Sequence, residues 1–256
     1  MSVLLEVIAV TIEDAIAAEA GGADRIELIA NFLEGGTTPS PGIIRAVKRV
    51  VSIPVNVMIR PHGGGYVYSE LEIAAMVADA VLAREAGADG IVVGALRPDG
   101  TVDIDALTRI LEACRLPATF HRAFDTLKET DMPAALDELA ALPWIKRVLT
   151  SGGQASAYEG RKVIAGLVGR NRISIMPGKG VVPETLPPLI AETGVREVHV
   201  GSAAREPHTP TAPVAERHVR RLRGILAQDP GSFCCPRAKC SQVRLVADGE
   251  LKGCSV

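Results

Sequence analysis

The chain has 256 residues and a formal net charge of −2, and 47 % of its residues are hydrophobic but only 3 % aromatic. That length suits one (β/α)8 barrel or two small domains, and the shortage of rings asks for a core of Val, Ile, Leu and Ala, as in a parallel sheet under helices. The balanced charge excludes a phosphate-backbone binder and no segment is apolar enough to span a bilayer, so neither nucleic acid nor membrane is an expected partner. No signal-peptide pattern opens the chain, so the expected location is cytoplasmic, with the five cysteines reduced.

Leu4 to Ala9 reads as a strand, and Thr11 to Ala20 as a helix stopped by Gly21-Gly22. Arg25 to Ile29 is the second strand; after the Glu34 to Pro39 loop, Ser40 and Pro41 cap and begin a helix. Pro54 to Arg60, Ile91 to Gly94, Ala118 to Arg122, Arg147 to Thr150, Arg172 to Met176 and Glu197 to Val200 supply the remaining strands. Between them lie helices over Ser69 to Ala86, Ile104 to Cys114, Met132 to Leu142, Tyr158 to Val168 and Glu184 to Glu192. Strands alternating with helices in this way predict a single-domain α/β fold, a (β/α)8 TIM-like barrel over residues 1–228. A divergent, Cys-containing C-terminal extension, 229–256, is expected to be packed on the barrel or partly disordered.

Alternation along the strands sends an unusual set of side chains into the barrel: Glu6, Glu27, Asn56, Met58, Arg60, Thr119, His121, Glu197 and His199. Buried unpaired charge costs several kcal/mol. Arg25, Arg147 and Glu197, at strand starts, suit ion pairs that plug the barrel floor. Glu6, Glu27, Arg60, His121 and His199, nearer the carboxyl ends where barrel sites lie, suit function. In Thr119 to Asp125 an imidazole, a guanidinium and a carboxylate follow one another closely, with Arg122 and Asp125 on the rim in reach of each other. Glycine-rich turns follow strands three, six, seven and eight, and Gly178, Gly180 and Ser202 stand where barrels commonly hold a phosphate.

Four segments then carry a family resemblance: Glu34 to Ser40, Met58 to Pro61, Thr119 to Asp125 and Val148 to Gly152. In order and spacing they resemble the copper homeostasis protein CutC family over about residues 3 to 205. The resemblance implies a TIM-like barrel, a homo-oligomer, a part in copper handling with Cu(I) bound in some members, and no settled reaction. The shared polar set is Glu6, Glu27, Glu34, Arg60, His121, Arg122, Asp125, Ser151 and His199. Where some members carry cysteines proposed to bind copper, this chain has Ile8 and Ile29, which cannot ligate. Met58, Met176, His121 and His199 remain as Cu(I) candidates, and the metal ligands stay unassigned. Cys234, Cys235, Cys240 and Cys254 in the tail lack C-x-x-C spacing and read as an ordinary extension rather than a metal site.

Two functions remain open. One is a copper homeostasis protein binding Cu(I) or a small anionic ligand at the barrel mouth. The other is an enzyme on a small anionic or phosphorylated metabolite, with Glu27 and His121 as acid and base candidates, Arg60 and Arg122 holding the anion, and Gly178, Gly180 and Ser202 cupping a phosphate.

Overall fold

The structure, a computed structural model, describes residues 3–227. The extension over 229–256, with its four cysteines, lies outside the described residues. Eight parallel strands occur in chain order: β1 (Leu4–Ala9), β2 (Arg25–Leu28), β3 (Val55–Met58), β4 (Gly90–Val93), β5 (Ala118–Phe120), β6 (Ile145–Thr150), β7 (Ser174–Pro177) and β8 (Glu197–Val200). Ladders link them in the order β7-β6-β5-β4-β3-β2-β1-β8, and β7 lies against β8 to bring the sheet round on itself. The helices are α1 (Ile12–Ala20), α2 (Pro41–Val50), α3 (Glu70–Glu85), α4 (Ile104–Cys114), α5 (Met132–Ala141), α6 (Arg161–Gly169), α7 (Leu186–Thr193) and α8 (Glu216–Leu226). This is the nearly closed (β/α)8 barrel the alternation implied. No helix among the described residues is long and apolar enough to cross a membrane.

Local chemistry accounts for the boundaries. Ser40 caps α2 by accepting from the Ile43 amide at 3.4 Å, with Pro41 beginning the helix. α3 opens on a capping box, in which Ser69 Oγ accepts from Glu72 N at 3.3 Å and the Glu72 carboxylate accepts from Ser69 N at 2.7 Å. β5 ends at Phe120, two residues before the predicted Arg122, because His121 Nδ1 accepts from the Ala123 amide at 3.1 Å and starts a 3-10 turn over Arg122–Thr126. That side-chain bond turns the backbone out of the sheet. α8, which hydrophobic spacing did not single out, packs Val219, Leu222 and Leu226 against the barrel.

The outward strand residues Ile26, Leu28 and Phe120 join the aliphatic layer beneath the helices, as alternation requires. The inside is divided. Its floor is ionic: Arg25 donates to Glu197 at 2.6 Å and to Glu6, and Arg147 donates to Glu197 at 3.0 Å and to Thr119 Oγ1 at 3.2 Å. Arg25, Arg147 and Glu197 thus form the pairs expected of them. Above the floor, Ile8, Ile29, Met58 and Val92 make a separate apolar cluster. Register brings these layers together, since Glu6 stands beside Arg25 of β2 on one side and His199 of β8 on the other.

Candidate functional site

At the carboxyl end of the strands lies a cavity of about 320 Å³. Seven of the candidates line it: Glu27 from β2, Arg60 and His121 just beyond β3 and β5, Arg122, Gly180, His199 from β8 and Ser202. Met58, Ile8, Leu149 and Val181 supply apolar wall.

Each buried polar group is held by its neighbours. Arg60, 4 % exposed, donates from Nη1 to the carbonyls of Glu34 at 2.8 Å and Gly36 at 2.9 Å, with its guanidinium 5.1 Å from the Tyr66 ring centroid. Its Nε is buried with no hydrogen-bond partner among the described residues. In His121, Nδ1 is occupied as an acceptor, so the neutral ring carries its proton on Nε2, which is also buried without a partner. A Cβ on Gly94 would stand 2.5 Å from this ring, so only glycine leaves it room. His199 Nδ1 meets Glu6 Oε1 at 2.8 Å, while its Nε2 faces Glu27 Oε2 at 3.7 Å. Glu27 Oε1 is the third buried atom at this mouth without a partner.

The electrostatics follow from burial and from these contacts. Burial alone would raise the Glu6 carboxyl, but Arg25 and His199 outweigh it and hold it well below the usual carboxylate range. Burial pushes Glu27 up to about 7; His199 opposes the rise and Glu6 adds to it. Burial also drives the His121 imidazole down to about 3, with Arg60 reinforcing the fall. For His199 burial works downward, yet Glu27 and Glu6 together raise it. One imidazole at this mouth is therefore kept neutral and the other favours its charged form.

Opposite dependences of stability on pH are expected from these shifts. His121, with an ordinary value of 6.5 lowered to about 3, contributes stability that is complete above pH 6.5 and lost as pH falls toward 3. Glu27, raised from 4.5 to about 7, contributes stability that is complete below pH 4.5 and lost as pH rises through 7. Urea melts of the protein, His121→Gln and Glu27→Gln across that range check both signs. The first variant should flatten the acid side and the second the neutral side.

Other candidates support the mouth without lining it. Glu6 lies behind His199, and Glu34 lends its carbonyl to Arg60 while its side chain lies under Gly63. Asp125, with its side chain 7 % exposed, pairs with Arg122 at 2.8 Å and accepts from Thr150 Oγ1, Ser151 N and Ser151 Oγ at 2.6, 2.8 and 3.0 Å. It anchors the turn after β6, with Ser151 as part of that anchor. Gly178 does not line the cavity; a Cβ there would stand 2.5 Å from Leu149 Cδ1 and 3.2 Å from His199 Cδ2, so its smallness makes room for side chains. Sequence reasoning passed over Phe32, Tyr66 and Lys179, which also line the cavity. Lys179 had a signal, a cation between two glycines, and it adopts φ of 75°.

Ligand-type atoms of Glu6, Glu27 and His199 lie within 4.8 Å of one another, the one such group found among the described residues. In geometry they could surround a cation. Glu6, however, is already engaged on Oε2 by Arg25 and Asn56 and on Oε1 by His199, so a metal would have to displace these bonds. The set of oxygen and nitrogen atoms also fits Cu(I) poorly. Ile8 and Ile29 stand in the apolar cluster beside Met58, while the Met176 sulfur accepts from Arg25 at 3.3 Å in the floor. The two methionines and two histidines weighed for Cu(I) are thus split between layers.

Comparison with known proteins falls in line with this architecture. The model of the CutC family matches residues 3–204. A copper homeostasis protein cutC homolog of Homo sapiens is 48 % identical over 199 residues, 77 % of this chain and 72 % of the relative. A family protein CutC of Parabacteroides distasonis is 43 % identical over 206 residues, 79 % of this chain and 84 % of the relative. The crystal structure of a copper homeostasis protein CutC from Streptococcus agalactiae superposes with a TM-score of 0.74 at 37 % identity, covering 78 % of this chain and 98 % of that one.

Proposed function

Since this chain belongs to the CutC family, we propose that it serves copper homeostasis as a cytoplasmic, homo-oligomeric barrel whose mouth binds a small organic anion. One observation carries the binding reading: Glu27 Oε1, Arg60 Nε and His121 Nε2 are buried, belong to residues lining a single cavity, and have no hydrogen-bond partner among the described residues. Buried polar atoms left unsatisfied cost about 1–3 kcal/mol each, so three at one place suit a polar ligand that supplies the missing bonds. The sign of that ligand follows from its surroundings. Arg60, Arg122 and Lys179 supply cationic groups on the cavity wall, and Lys179 Nζ donates to the Gln154 carbonyl at 3.0 Å.

The test is a thermal-shift series with phosphate, pyruvate, oxaloacetate and dihydroxyacetone phosphate. A ligand at a hundred times its Kd stabilises the fold by about 2.7 kcal/mol. At least one probe should raise Tm, and Arg122→Gln or Lys179→Gln should remove most of the rise. Absence of any shift defeats the reading.

Direct Cu(I) retention by the barrel is not expected, because none of the described residues lining the mouth offers it a thiolate. With Cys234, Cys235, Cys240 and Cys254 replaced by serine, the protein should surrender Cu(I) to a colorimetric chelator as readily as buffer does. One equivalent withheld by that variant would assign copper to the barrel instead.

A further inference from the structure

We infer that the mouth catalyses reversible proton transfer at a carbon adjacent to the carbonyl of a small anionic oxo compound, with Glu27 as the base and His121 as donor to the oxygen. The inference rests on the anion-binding reading above and names the substrate class and the chemistry of that same site.

The three unpartnered atoms differ in what they can do. Two are donors, His121 Nε2–H and Arg60 Nε–H, and the third, Glu27 Oε1, is an acceptor or a base. Their residues stand at or just beyond the carboxyl ends of three strands, β5, β3 and β2, and all three line the one cavity. In the proposed complex a carbonyl oxygen accepts from both donors, and a C–H bond on the neighbouring carbon is presented to Glu27. A plain carboxylate or phosphate would satisfy the two donors but would place another acceptor against Glu27.

The surroundings suit each role. The Ala123 amide occupies His121 Nδ1, so the one ring proton sits on Nε2, where it donates to a developing oxyanion. Glu27 titrates close to neutrality, where a base is most effective. Behind it, Glu6 fixes the His199 ring through Nδ1, and His199 Nε2 stands 3.7 Å from Glu27 Oε2. His199 is therefore a positioning residue that steadies the ionised carboxylate. Arg122 and Lys179 on the wall take the negative group of the substrate.

In the step itself, Glu27 Oε1 removes the proton from the α-carbon and the C–H electron pair becomes the C=C bond of an enolate. The carbonyl π pair moves to oxygen, where His121 Nε2–H and Arg60 Nε–H stabilise it. Return of the proton from Glu27 to the α-carbon restores the carbonyl compound and the carboxylate. Nothing else is consumed, and the net result is exchange with solvent or epimerisation.

Proton NMR in D2O tests this with dihydroxyacetone phosphate, pyruvate and oxaloacetate. A probe that binds should lose its α-proton signal faster than in buffer. Glu27→Gln should slow that exchange by about 100-fold or more while the thermal shift persists. For the unaltered protein, the exchange rate should rise with pH through about 7, a readout that depends on no variant folding. Probes that shift Tm yet exchange no faster than in buffer overturn the inference and leave the binding reading standing. If no probe binds, both fall.

Discussion

Glu6→Ala is expected to destabilise the fold by about 3–5 kcal/mol, the cost of breaking a buried ion pair by removing one partner. Glu6 is wholly buried and accepts from Arg25 Nε, from Asn56 Nδ2 at 3.3 Å and from His199 Nδ1 at 2.8 Å. Alanine leaves Arg25 with Glu197 as its one carboxylate, which it already shares with Arg147, so positive charge exceeds negative in the floor. His199 would at the same time lose the bond that fixes its ring. Urea melts measure the effect, and Glu6→Gln should fall between alanine and the unaltered protein because it retains an acceptor while losing the charge. An alanine variant as stable as the parent would show that water can replace the carboxylate there. The depressed Glu6 titration adds a sign: its stabilisation is present above pH 4.5 and is lost on acidification.

Asp125→Ala should cost about 3 kcal/mol or more, since it strips a carboxylate from several donors at once. Thr150 Oγ1, the Ser151 amide and hydroxyl and Arg122 Nε all point to it within 3.0 Å, and the Gly153 amide lies at 3.3 Å. Loss of these bonds frees the turn after β6 and releases Arg122 at the mouth, so ligand-induced stabilisation should fall together with stability. Hydrogen exchange at the Ser151 and Gly153 amides separates the two consequences. Faster exchange there, with slow exchange retained at Val148 in β6, is the expected pattern; uniform acceleration would mean that the barrel as a whole had loosened.

Much of this architecture could be read from local pattern. β1, α4 and β8 begin and end at the residues that hydrophobic spacing marked, and alternation placed Glu6, Glu27, His121 and His199 inside. Those features are short-range, because backbone pleat alone decides which way a strand residue points. Strand ends were harder to place. β5 stops early because His121 bonds its own turn, and β6 begins at Ile145, two residues before the predicted Arg147. Residues carried to the mouth by loops, such as Phe32 and Tyr66, had no periodic signal to expose them.

Sequence by itself determined the barrel, its inward charges and the apolar Ile8 and Ile29, each set by spacing within one segment. Only tertiary structure decided which inward charges neutralise one another and which remain available. Glu6 and His199 are 193 positions apart and meet because β1 and β8 pair in register, which consumes them in a network with Arg25. Glu27, Arg60 and His121 are inward and polar too, yet each keeps one buried atom without a partner. That difference depends on packing in three dimensions, because a hydrogen bond is made or missed over a fraction of an ångström, a scale no strand periodicity encodes.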